Sequence, residues 1–196
     1  MIENKAKRLM WALIVGVVGG GLYILTNALG NLRGAVDIEL WFEKYIPFVP
    51  DAVFVYLLIF PFLLSVVFRV KKYRDFFHVV LTYLLLIFIS VAIFSIFPTT
   101  MKRPEIMENG TTAFLFYAIR LADGPNNLFP SLHVSSSVLA ALVNGHFCPK
   151  SRIISIVVAV AISLSTLLVK QHAVLDVLGG ALLGFATFWL FFKQRA

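Results

Sequence analysis

The chain has 196 residues, of which 60% are apolar and 14% charged, with a mean hydropathy of +0.90 and a formal charge of +7. Soluble domains carry about 25% charged residues because they need a wetted surface, so this composition excludes an ordinary soluble fold and makes lipid the solvent for much of the chain. One cysteine, Cys148, excludes an intramolecular disulfide and a cysteine-based metal cluster, and the length fits a single domain over residues 1–196.

About 20 apolar residues span the ~30 Å hydrocarbon layer as a helix. Runs near that length predict an all-α, polytopic membrane protein with six transmembrane helices, at Leu9–Leu29, Ala52–Val70, Phe77–Phe97, Ser131–Phe147, Ile153–Val169 and Val174–Phe192. The fourth run is the weakest, because Ser131, His133 and Ser135–Ser137 crowd its start. The first, preceded by Lys5, Lys7 and Arg8, also has the look of a signal peptide. Its apolar stretch exceeds the roughly 7–15 residues of a signal core, which favours a retained helix.

Charge sets the expected orientation. With a cytoplasmic N-terminus, the inner segments hold Lys5, Lys7, Arg8, Arg69, Lys71, Lys72, Arg74, Lys150, Arg152, Lys193 and Arg195. The outer segments hold Arg33, Lys44, Lys102, Arg103, Arg120 and Lys170, together with most of the acids, among them Asp37, Glu39, Glu43, Asp51, Glu105 and Glu108. The positive-inside rule then predicts that both termini are cytoplasmic. The positive balance reads as a topology signal, and no nucleic-acid partner is expected. Two outer segments are long. Asn31–Asp51 carries Trp41, Phe42, Tyr45, Ile46 and Phe48 among acids, the pattern of an amphipathic interfacial helix. Pro98–Pro130 holds a second helix-like stretch, Ala113–Leu121, followed by the turn-rich Asp123-Gly124-Pro125-Asn126-Asn127.

Ionisable groups at membrane depth are costly and mark function. Three clusters stand out: Lys102-Arg103-Pro104, Phe129-Pro130-Ser131-Leu132-His133, and Lys170-Gln171-His172 with Asp176. In the six-helix scheme all three fall on the outer side. His172 and Asp176 are four apart, so on a helix the carboxylate reaches an imidazole nitrogen and leaves the other free to attack or take a proton. A capping carboxylate beside an interfacial histidine is the plainer alternative. Pro130 and Ser131 start a helix whose free N–H groups make an anion site beside His133. Lys102 and Arg103 read singly as snorkelling anchors, whereas Lys170 lies against the charge bias two residues from His172. Two histidines, a carboxylate, up to three cations and a helix N-terminus suit phosphoryl transfer. Zinc held by His133, His172 and Asp176 is the weaker reading, because the cations would repel it. His78 and His146 fall on the inner side, and Asn144, Gly179 and Gly180 read as helix-packing residues.

Arg103-Pro104, Pro130-Ser131-Leu132-His133 and His172-x-x-x-Asp176 resemble the three signature motifs of the type 2 phosphatidic acid phosphatase (PAP2) superfamily, over about residues 50–192. The resemblance implies a six-helix core with an outer-face site, a phosphohistidine on His172 oriented by Asp176, His133 as the acid for the leaving group, phosphate contacts from Arg103 and Ser131, and no metal or other cofactor. Three positions depart from the usual motifs: Ile96 replaces a lysine, Leu132 a glycine, and Ser165-Thr166 a Ser-Arg pair. Lys170, or Lys102, is then the expected substitute cation. Asp123-Gly124-Pro125-Asn126-Asn127-Leu128-Phe129 and Pro-Ser-Leu-His are similar to the branch with inositol phosphorylceramide synthase-like and sphingomyelin synthase-like phosphotransferases, with Asp123 and Asn127 expected to position the substrate or the loop.

The expected function is therefore metal-independent hydrolysis of a lipid phosphomonoester or diphosphate drawn from the membrane, in a bacterial plasma membrane. Transfer of the phospho-headgroup to an alcohol acceptor is the alternative within the same chemistry. A non-catalytic lipid-phosphate binding or transport protein is the alternative of another class, although a transport site is expected near the midplane.

Overall fold

The computed structural model describes residues 2–105 and 110–192. Glu108, Lys193 and Arg195, which entered the topology reading, lie outside the described residues. Among the described residues eight α-helices follow in order: α1 (Ile2–Arg33), α2 (Val53–Leu57), α3 (Ile59–Arg69), α4 (Tyr73–Ile96), α5 (Thr111–Ala122), α6 (Leu132–Phe147), α7 (Arg152–Leu168) and α8 (Val174–Phe192). Five of the described segments are long and apolar enough to cross a membrane: Lys5–Gly30, Pro50–Arg69, Tyr73–Ile96, Pro149–Leu168 and Val174–Phe192. Their outward faces carry Leu13, Val17, Phe60, Phe88, Ile153 and Leu182, all exposed. An apolar surface of that extent has no place in water, and it marks a membrane protein.

α6, the expected fourth span, is a helix of 16 residues and is not among those five. It is the central element, packed against α3, α4, α7 and α8. Its core side is small and tight: Ser135, Ser137, Ala140 and Asn144 are buried. Across from it, α8 presents Gly180 and Gly184, where a Cβ would stand 2.6 Å from the Ser131 carbonyl oxygen and 2.5 Å from that of Ser135. Small residues at such spacing let helix backbones approach closely. Gly180 is thus a packing residue that also sets how near the starts of α6 and α8 come.

Pro50–Arg69 is interrupted at Leu58 because Pro61 has no N–H to return to Leu57. The chain bends there between α2 and α3.

One expectation needs correction. Asn31–Asp51 forms no interfacial α-helix: beyond the end of α1 it is a two-residue strand, Val36–Asp37 (β1), followed by 3-10 turns at Glu43–Tyr45 and Pro50–Ala52. The reason is competition for its backbone groups. Gly34 turns at φ +76°, Val36 and Ile38 donate to the carbonyls of Pro98 and Thr100, and Val49 donates to Leu168. Pro50 also holds Val49 extended. The all-α architecture holds among the described residues, apart from a two-residue parallel pair, β1 with Thr99–Thr100 (β2). The helix-like stretch Ala113–Leu121 does form a helix, α5.

Candidate active site

The site collects at one end of the bundle, where α4 and α7 end and α6 and α8 begin. α7 closes in a Schellman arrangement: Lys170 N–H donates to Leu167 at 3.2 Å and Gln171 N–H to Thr166 at 3.1 Å. Lys170 occupies the position that usually favours glycine, with φ +52°. This turn delivers His172, whose own N–H also reaches the Thr166 carbonyl, at 3.3 Å.

His172 sits in the bend just before α8 rather than on the helix, yet its Nδ1 is 3.4 Å from Asp176 Oδ2. That is an ion-pair distance, longer than a good hydrogen bond, and Nδ1 has no other partner. Catalytic hydrogen bonds are often long before substrate binds. The same Asp176 oxygen accepts the Ala173 N–H at 2.7 Å, so the carboxylate caps α8 as well as facing the imidazole. The two readings of this pair coexist in one side chain. Asp176 is fully buried and His172 only 4% exposed.

Ser131 caps α6, its Oγ accepting the Val134 N–H at 3.3 Å while its own N–H donates to the Asp176 carbonyl. The starts of α6 and α8 are thereby stitched together. His133 follows in the first turn. Its ring stacks on Tyr56 of α2 with centroids 4.4 Å apart, and Nδ1 is 3.5 Å from the Tyr56 hydroxyl. The two imidazoles are 6.0 Å apart, centroid to centroid.

Both rings line a cavity of about 380 Å³. Tyr23, Tyr56, Asp123 and Asn127 complete its polar wall, and Gly20, Leu57, Phe60 and Ile119 are among its apolar residues. The first turn of α6 reaches it through Leu132 and His133, which brings the positive dipole end of that helix to the cavity.

Two of the three expected phosphate-binding cations are engaged elsewhere. Arg103 donates through Nη1 to the Asp123 carbonyl at 2.8 Å and through Nη2 to that of Gly124 at 3.1 Å. Its charge lies 3.8 Å from Asp123 Oδ2. Lys170 Nζ donates to the Glu43 carbonyl at 2.9 Å, and Lys102 is exposed. None of the three lines the cavity. Burial and, after it, the neighbouring Arg103 charge lower the pKa of Arg120. Among the described residues no three His, Cys, Asp or Glu side chains converge as metal ligands.

Three residues were not singled out from sequence. Glu43, 2% exposed, accepts from Leu40 N through Oε1 and from Val174 N through Oε2, fixing the β1–α2 segment over the start of α8. Tyr56 holds His133, and Tyr23 of α1 donates its hydroxyl to Asp123 Oδ1. A tyrosine inside an apolar span was the available signal for both Tyr23 and Tyr56. Glu43 gave none, because its partners Lys170 and Val174 are 127 and 131 positions away along the chain.

His78 bonds the carbonyl one turn back in α4, and His146 packs on Phe147, Phe188 and Phe192 at the far end of the bundle. Neither approaches the cavity.

The profile of the PAP2 superfamily matches residues 79–196, more than half of the chain and the whole stretch from Arg103 to Asp176. No curated protein and no solved structure matches the chain. A site of two histidines and a carboxylate at a helix N-terminus, within a matched segment of that extent, makes this chain a member of the PAP2 superfamily, whose members are generally phosphatases or phosphotransferases.

Proposed function

We propose that this protein is a metal-independent lipid phosphatase that cleaves a lipid phosphomonoester or diphosphate through a phosphohistidine on His172. The observation that carries the reading is the shared cavity of His133 and His172, with Asp176 on Nδ1 of the latter. With Nδ1 turned to the carboxylate, Nε2 of His172 attacks phosphorus. The N–P bond forms as the P–O bond to the leaving group breaks, the lipid alcohol from a monoester or the lipid monophosphate from a diphosphate, and His133 gives that oxygen its proton. Water then loses a proton to His133 and attacks phosphorus, releasing phosphate and the imidazole. The α6 amides stabilise the charge that builds on the phosphoryl oxygens.

The membrane setting supports a lipid substrate, since the cavity wall is mostly apolar and includes α1, which rides on the outside of the bundle. We further propose that α6 crosses as a sixth span and that the site faces the outer leaflet, with both termini cytoplasmic. Resolution of the phosphohistidine by an alcohol is the second reading, favoured by Asp123, which lines the cavity together with the two histidines.

The test is to incubate purified protein with a panel of lipid phosphates and alcohols and follow inorganic phosphate and new phosphoesters. Formation of either product, lost in His172→Ala, is the expected result. Absence of both from every lipid, with His172→Ala indistinguishable from wild type, would leave only a binding or transport role.

A further inference from the structure

At the end of α6 away from the catalytic cavity, about 20 Å from His133 at 1.5 Å per residue, lies a cavity of about 340 Å³. Gly145 and His146 of α6, Arg152 of α7 and Phe188 of α8 line it. A further cavity of about 380 Å³ continues between the same three helices, and the two share Ala141, Leu142 and Ile156. They therefore form one groove. Its floor is small and buried at Ala141 and Ala159, while Ile156, Val160 and Leu164, spaced along one face of α7, are exposed.

The two ends of the groove differ in chemistry. Past Ile156 the lining is apolar except for Ser163, whose hydroxyl is spent on the Ala159 carbonyl at 2.8 Å. At the other end stands Arg152. Its stem rests on Gly145, where a Cβ would be 3.1 Å from Arg152 Cγ. Among the described residues its guanidinium has neither an ion pair nor a hydrogen bond. His146 adds a ring nitrogen beside it, the ring steadied edge-on by Phe188 and Phe192. From Arg152 to Leu164 the groove runs about 18 Å, comparable with one leaflet of a ~30 Å hydrocarbon layer.

Charge decides between the possible occupants. The segments at this end hold Arg69, Lys71, Lys72, Arg74, Lys150 and Arg152 against Glu3 and Asp75. A second copy in the same orientation would thus bring mainly cations to Arg152. A zwitterionic lipid carries its own cation beside its phosphate, whereas an anionic one does not.

We propose that this groove binds one anionic phospholipid from the leaflet opposite the histidine site, with its phosphate on Arg152 and His146 and one acyl chain lying along α7 to Leu164. Basic pockets between membrane helices suit anionic headgroups for this reason, and a guanidinium pairs with phosphate through charge-assisted hydrogen bonds. No bond is made or broken, and the inference is independent of the phosphatase reading.

The experiment photolabels the full chain in detergent micelles with phosphatidylglycerol carrying a diazirine midway along one acyl chain. Label is expected on the peptides that hold Val160 and Ala181. Unlabelled dioleoyl phosphatidylglycerol should displace it about tenfold better than dioleoyl phosphatidylcholine. That preference should collapse toward unity in Arg152→Gln and persist in Arg152→Lys, with Tm unchanged in both because the side chain is exposed. Label confined to other helices, equal competition by the two lipids, or a preference unchanged in Arg152→Gln would overturn the proposal. Displacement by glycerol 3-phosphate as effective as by the lipid would overturn the acyl-chain part. Chain-to-chain crosslinks in place of lipid adducts on these peptides would assign the groove to a second copy instead.

Discussion

Replacing Asp176 by asparagine separates catalysis from stability. The carboxylate is fully buried, and of its two oxygens Oδ2 serves Ala173 N–H at 2.7 Å and faces His172 at 3.4 Å, whereas Oδ1 has no partner. Asparagine keeps the shape and can keep the Ala173 bond, so the cap survives. What disappears is the negative charge that favours imidazolium character on His172 as phosphorus is transferred. A hydrogen bond to a charged group is worth about 1.5–3 kcal/mol, which at about 1.4 kcal/mol per decade is roughly a 10- to 150-fold fall in kcat. Removing a buried charge with one unpaired oxygen should cost little folding free energy, because the cap is retained and a desolvated charge is relieved. The assay pairs initial rates of phosphate release with thermal unfolding followed by detergent-phase size exclusion. A fall in kcat with Tm held supports the account. A loss of activity that merely tracks a falling Tm, or an unchanged kcat, would refute it.

Gly180→Ala puts a Cβ 2.6 Å from the Ser131 carbonyl oxygen, a backbone atom that can yield only by moving the start of α6. Overpacking of this kind costs about 1–3 kcal/mol, and both Tm and kcat should drop, because His133 moves with its helix. Gly20→Leu lines the same cavity but meets nothing within 4 Å. It should fill the apolar part of the cavity and raise KM for long-chain lipid phosphates at unchanged Tm, as tested by substrate titration. Glu43→Ala strands the N–H groups of Leu40 and Val174, at about 1–3 kcal/mol each if they stay dry. Tm should fall clearly, and Glu43→Gln, which retains one acceptor, should recover part of it. Lys170 distinguishes a clamp from a phosphate ligand. Lys170→Gly relieves the left-handed backbone, worth about 1–2 kcal/mol, against one lost bond to Glu43, whereas Lys170→Ala loses the bond without relief. Glycine should therefore be the more stable and more active of the two, and equal loss in both would favour direct phosphate binding.

The membrane helices were legible because an unbroken apolar run of about 20 residues matches the thickness of the hydrocarbon layer and would be hard to keep dry anywhere else. Pro130, Ser131 and His133 marked the start of α6 for a local reason, since a proline and a capping serine act within one turn. His172 and Asp176 were legible by spacing, although the histidine sits in the turn before α8 and the carboxylate also serves as a cap. The segment Asn31–Asp51 misled because its aromatic and acidic pattern is real while its backbone partners are distant: Pro98, Thr100 and Leu168 claim its N–H groups. The roles of Arg103 and Lys170 were hidden for the same reason. Each cation satisfies a carbonyl brought close only by folding, Asp123 and Gly124 for one and Glu43 for the other. The cavity itself is assembled from α1, α2, α3, α5, α6 and the two loops before α6 and α8, so no local pattern could announce it.

The central claim is that His172 carries the phosphoryl group. Protein mixed with a phosphorus-labelled lipid phosphate and quenched during turnover should hold acid-labile, base-stable label on His172, located by peptide mapping and absent from His172→Ala. Accumulation should rise in His133→Ala when the lipid has a good leaving group that needs no proton. Turnover without label on His172, or label that persists in His172→Ala, would contradict the account.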